Sequence, residues 1–84
     1  MKTFTGIDIS SVDYDALEPG IYLVSAGGVN NFNLPDATLF YGQQLIIINK
    51  SAQNTLVPAA LFLSTIPAYE IGIFYSINGD WYGK

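Results

Sequence analysis

The stretch Asn33-Leu-Pro-Asp-Ala-Thr-Leu-Phe-Tyr-Gly42-Gln-Gln-Leu45-Ile46-Ile47-Ile48-Asn49-Lys-Ser51 carries the reading of the fold. It opens on a turn-like Leu34-Pro35-Asp36, passes Gly42 and enters four consecutive aliphatics, Leu45 to Ile48. A strand with one wet face alternates apolar and polar residues. This one does not, so both of its faces need cover: Leu45 and Ile47 on one side, Ile46 and Ile48 on the other.

Outward from that run the chain reads as short β segments between turn signals. Pro19-Gly20 is a turn, with proline suited to its second position and glycine free to take positive φ. Ile21 to Ser25 follows as a β-branched and aromatic strand, and the glycines and Asn-rich Val29-Asn-Asn-Phe-Asn33 read as a turn or irregular link. Thr38 to Tyr41 reads as a short strand broken by Gly42. Gln43 to Asn49 is a strand, as is Thr55 to Val57, ending at Pro58. Ala59 to Ser64 suits a strand, an extended loop or one helical turn. Glu70 to Ile77 is a strand with Ile71, Ile73, Tyr75 and Ile77 on one face and Gly72, Phe74 and Ser76 on the other. Asn78-Gly79 signals a type I′ hairpin into Asp80-Trp81-Tyr82. No helical period is sustained. The expected fold is all-β, a small antiparallel β-sandwich or β-prism-like domain of about six or seven short strands. Residues 1 to 19, with Asp8, Asp13, Asp15 and Glu18, read as an acidic arm or a single helical turn through Asp15-Ala16-Leu17 capped by Ser10 or Ser11. Residues 20 to 84 form the β domain.

Composition narrows the function. Eighty-four residues make one domain, which buries only ~60–65% of the surface its unfolded chain exposes. There is no Cys, hence no disulfide staple, thiolate metal site or Cys nucleophile. Half the residues are apolar and only 12% are charged, a balance that leaves apolar patches facing water unless another chain covers them. Three Lys, no Arg and seven acids argue against nucleic acid. The absence of His removes the commonest general base and metal ligand. The serines have no His to activate them and no Gly-x-Ser-x-Gly elbow. Asp8, Asp13 and Asp15 lack the spacing of a Ca²⁺ loop and read as solvated acids. No catalytic residue, metal site or cofactor is expected. Asn49-Lys50-Ser51 fits a glycosylation sequon but reads as a turn. Met1 to Ser11 lacks the apolar core of a signal peptide, and the apolar stretch from Leu56 to Tyr69 is too short to cross a bilayer. The chain is therefore expected to be a complete, soluble product of the cytoplasm, without a membrane partner. Tyr75, Trp81 and Tyr82 form a candidate ligand platform, since exposed aromatics stack on sugar rings; filling a core or a subunit interface is the alternative.

The order of Leu34-Pro35-Asp36-Ala37, Gly42 before an Ile-rich strand, Asn49-Lys50-Ser51, Val57-Pro58, Glu70 leading into Ile71 to Tyr75, and Gly79-Asp80-Trp81-Tyr82 resembles a module of bacteriophage virion fibre and spike proteins. The likeness covers residues 33 to 83. It departs at Ala59 to Leu63, where the family is Gly-rich, and at Tyr69, where the family has Gly. The resemblance implies a homotrimeric β-structure on a virus particle, a capsid decoration, head-fibre or tail-fibre component made in the host cytoplasm. Its partners would be other capsid or tail proteins. Leu45, Ile46, Ile47, Ile48 and Phe74 are then the expected oligomer interface. A small module binding carbohydrate, such as a host surface glycan, or another receptor is the alternative.

Overall fold

The computed structural model describes residues 4–7, 12–25 and 29–84. Ten strands run through these residues: β1 Phe4–Ile7, β2 Val12–Asp15, β3 Ile21–Val24, β4 Val29–Asn33, β5 Gln44–Asn49, β6 Thr55–Leu56, β7 Ala60–Leu61, β8 Thr65–Ile66, β9 Ile71–Ile77 and β10 Asp80–Gly83. The one helical element among the described residues is a single 3-10 turn, Ala37–Leu39. The protein is mostly β, with no α-helix among the described residues. Its radius of gyration, 11.4 Å, sits close to the ~12 Å of a compact chain this long.

Six strands form the main sheet in the order β1-β3-β5-β9-β10-β7. This sheet is mixed, not antiparallel as the sequence suggested. β1–β3, β3–β5 and β10–β7 are parallel, whereas β5–β9 and β9–β10 are antiparallel. The apolar run therefore makes physical sense, because β5 is an interior strand hydrogen-bonded on both edges, the setting in which continuous Val, Ile and Leu runs occur. Two small sheets, β2–β4 and β6–β8, accompany it.

The inner face of the main sheet carries Tyr22 and Val24 of β3, Leu45 and Ile47 of β5, Phe74 of β9, Trp81 of β10 and Ala60 of β7, all buried. The β2–β4 pair packs on this face through aromatics. Tyr22 meets Phe32 edge-on with centroids 5.1 Å apart, and Tyr14 contacts both rings, geometries that aromatic quadrupoles favour. Ile66 of β8 covers Gly72, whose missing side chain is what lets β8 approach: a Cβ there would lie 2.8 Å from Ile66 Cδ1.

Several local expectations change. Thr38 to Tyr41 is not a strand. Asp36 accepts from the Thr38 N–H at 3.0 Å and its hydroxyl at 2.7 Å, and so caps the 3-10 turn. The same contact holds the Asp36 carboxyl below its usual pKa. Asp15 ends a strand rather than opening a helical turn, while Ser10, Ser11 and Asp8 lie outside the described residues. Val29–Asn33 is a strand, not a link. The Asn78-Gly79 turn has φ of 54° and 81°, both positive as a type I′ turn requires.

Candidate functional site

The strand that opened the sequence reading presents two faces. Leu45 and Ile47 are fully buried inside the subunit, as is Phe74. Of the five residues named as an oligomer interface, these three fill the chain's own core and have no surface to offer a second copy. Ile46 and Ile48 point the other way and are half-buried.

The residues on that outer face line up by register. Ile21 pairs with Ile46 and Ile46 with Ile73; Leu23 pairs with Ile48 and Ile48 with Ile71. Beside this aliphatic block lies an aromatic one. Gln44 pairs with Tyr75, Tyr75 with Tyr82, and Tyr82 with Leu61. Gln44 Nε2 donates to Tyr75 Oη at 3.1 Å. The Phe62 ring lies 5.3 Å from that of Tyr82. All these side chains are half-buried or exposed. The outer face thus bears Ile, Leu, Tyr and Phe with the amide of Gln44; its charged residues are Asp80, at the end next to Ile77, and Lys84, whose N–H donates to the Ile73 carbonyl at 2.8 Å and whose carbonyl accepts from the Ile73 N–H at 3.2 Å.

The two faces read for β9 are those the strand presents, and the structure decides which is buried. The face of Ile71, Ile73, Tyr75 and Ile77 is the more exposed one, and the face of Gly72, Phe74 and Ser76 is the buried one. Gly72 sits inside because β8 comes close over it, and Phe74 fills the core beside it. Ser76 Oγ donates to the Ala37 carbonyl at 2.6 Å, which satisfies its buried hydroxyl.

The proposed ligand platform separates in the same way. Trp81 is 3% exposed, and its Nε1–H donates to the Pro35 carbonyl at 2.7 Å. It is a core residue. Tyr75 and Tyr82 remain on the outer face and are joined by Phe62, a residue the sequence reading did not single out. Phe62 is 89% exposed and has φ of 72°. The Leu63 N–H donates to the Leu61 carbonyl at 2.9 Å, so Phe62 sits at the centre of a γ-turn of the rare, strained positive-φ form.

The polar groups are taken up structurally. Asn49 is buried, and its Nδ2 donates to the carbonyls of Gln53, Ile66 and Pro67 at 2.8, 3.0 and 3.1 Å. Its Oδ1 accepts from the Ser51 hydroxyl at 2.7 Å. The sequon asparagine is a buried clamp for the 50–54 turn. Asp13 and Asp15 accept from Asn31 and Asn33 across β2–β4, at 3.2 and 2.7 Å. Among the described residues no three His, Cys, Asp or Glu side chains are grouped to hold a metal ion, and no helix is long and apolar enough to cross a membrane.

No protein-family model, curated protein or solved structure matches the chain.

Proposed function

We propose that this chain is a non-enzymatic structural protein of a bacteriophage virion, a homotrimeric capsid-decoration, head-fibre or tail-fibre component that acts by assembling and docking on the particle. The supporting observation is the main sheet: one face closes the subunit's own core while the other is a largely apolar surface of Ile, Leu, Tyr and Phe, with Asp80 and Lys84 as its charged residues. Surfaces of this kind mark interaction sites, and in a closed homo-oligomer one such face is buried on every copy. In the trimer, the main sheets pack face to face in a sandwich- or prism-like arrangement around the axis. The virion assignment rests on the resemblance of residues 33 to 83.

The test compares the two faces of β5. Wild-type protein should scatter light as three chains across a wide dilution range. Ile46→Asp should be a folded single chain, because its charge lies on the outer face. Leu45→Asp should fail to fold, because it places an unpaired charge in the core. A folded wild-type monomer overturns the assembly reading.

The exposed Phe62–Tyr82 pair favours one second reading, a small glycan-binding module. In that case Tyr82→Ala abolishes glycan binding and leaves the fold intact. Trp81→Ala is unsuited to this test, since it removes a core side chain.

A further inference from the structure

We infer that Asn78 is a modification site: in water its side-chain amide is lost through a succinimide closed by the Gly79 nitrogen, leaving aspartate or isoaspartate at the tip of the β9–β10 hairpin. The inference stands apart from the assembly reading.

The structure singles out this asparagine among six. Asn49 is buried, and its Nδ2 donates to three carbonyls. Asn31 and Asn33 lie in β4 and donate to Asp13 and Asp15. Asn30 lies in the same strand, before Asn31. Asn54 is exposed but precedes Thr55, a buried β-branched residue that crowds the nitrogen it would use. Asn78 alone precedes a glycine. Both residues are exposed and lie between the paired ends Ile77 and Asp80, outside the strand ladder. Among the described residues, a Cβ at Gly79 would find only Thr38 Cγ2 within 4 Å, at 3.5 Å, so the tip packs against little. Exposed loop tips are where motion concentrates, and asparagine is among the thermally labile residues.

The step balances without an oxidant or an enzyme. Base removes the Gly79 N–H proton, and the nitrogen attacks Asn78 Cγ. The new N–Cγ bond closes a five-membered ring, the Cγ–Nδ2 bond breaks, and the amide leaves as ammonia with a proton returned by solvent. Glycine favours this closure because no Cβ crowds its nitrogen and its backbone turns freely. Water then opens the ring. Addition at Cγ gives aspartate. Addition at the main-chain carbonyl gives isoaspartate, whose backbone runs through Cβ and gains one atom. Turn type and loop length set hairpin register. The lengthened turn therefore no longer holds Ile77 against Asp80 as the two positive-φ residues do. The next residue is Trp81, whose Nε1–H donates to the Pro35 carbonyl in the core, so isoaspartate loosens β10.

The full chain is incubated at mildly alkaline pH in water enriched in heavy oxygen, then digested in ordinary water, and mass spectrometry reads each asparagine. The label records only conversion in the intact chain. Early conversion should sit wholly on the peptide holding Asn78, with ammonia released and solvent oxygen gained in equal amounts. It should speed up as pH rises, because the attacking nitrogen must lose its proton. Asn78→Gly, which accepts the positive φ, should release no ammonia over the same period. Earlier conversion at another asparagine overturns the site, as does an Asn78 that stays intact in the folded chain while the urea-unfolded chain converts. The isoaspartate form, separated by chromatography, should melt below both the unmodified chain and Asn78→Asp, which adds the carboxylate without lengthening the backbone. If it melts together with Asn78→Asp, the loosening of β10 is overturned and the modification site stands.

Discussion

At the scale of single residues, two tyrosines carry opposite lessons. Tyr69 has φ of 63° in the turn closed by the Glu70 N–H donating to the Pro67 carbonyl at 3.2 Å. The left-handed region costs a side-chain-bearing residue about 1–2 kcal/mol, and Tyr69 is exposed, so it regains little by packing. Tyr69→Gly should therefore raise stability by about 1 kcal/mol, read as an upward shift of the urea midpoint at unchanged slope. Tyr22 is the converse, a buried ring whose hydroxyl donates to the Glu18 carbonyl. Burial, then the nearby Tyr14 and Glu18, raise its pKa above 10.0. The folded state thus favours the neutral phenol. Its contribution is fully present below the unfolded pKa and is lost as pH rises from there through the higher folded value. Stability should fall above pH ~10, and Tyr22→Phe should lessen that fall while costing about 1 kcal/mol at neutral pH through the lost hydrogen bond. If both proteins have the same alkaline profile, Tyr22 is not the group responsible.

At the scale of elements, the legible parts of the sequence were those where one signal dominated. The Leu45 to Ile48 run, the alternation of β9 and the Asn78-Gly79 turn each gave a strand or hairpin in the right place. Which face of β9 is buried was not legible, since hydrophobicity points to the isoleucines. The deciding facts are tertiary: β8 lies so close over Gly72 that a Cβ there would meet Ile66 at 2.8 Å, Phe74 fills the core, and Ser76 donates to the Ala37 carbonyl. β2 and β4 were hidden for a related reason. Asp13 and Asp15 pair with Asn31 and Asn33 across the two strands, while Tyr14 and Phe32 join the aromatic cluster, so each strand looks like a polar loop. The exposed Phe62 had no sequence signal at all, because its γ-turn is not encoded by a glycine. Close approach makes a prediction for the strand glycines. A Cβ at Gly83 would lie 2.7 Å from Leu63 Cβ and 2.9 Å from the Leu63 carbonyl oxygen, whereas one at Gly72 meets chiefly the movable end of Ile66. Gly83→Ala should cost about 1–3 kcal/mol as overpacking, and Gly72→Ala distinctly less. Equal losses in chemical denaturation would show that Ile66 is as immobile as backbone.

At the scale of the whole molecule, the central question is how a chain with no Cys and few charges leaves one sheet face largely apolar. On the proposed reading, association completes the stability of the fold, and association obeys mass action. Whatever binds only the folded chain adds RT ln(1 + [L]/Kd), about 2.7 kcal/mol at a hundredfold excess over Kd. For a domain of this size each kcal/mol moves Tm by roughly 4–8 °C. The wild-type Tm should therefore climb with protein concentration. Ile46→Asp, whose substitution leaves the core of Leu45, Ile47 and Phe74 untouched, should melt at a lower temperature that does not depend on concentration. Concentration dependence separates this effect from ordinary destabilisation, because a variant that merely loosens the subunit lowers the curve while leaving its slope against concentration in place. A wild-type Tm that stays fixed over the same range, with Ile46→Asp melting beside it, would mean that the isoleucine face contributes as a monomer's surface, and the assembly reading would be lost with it.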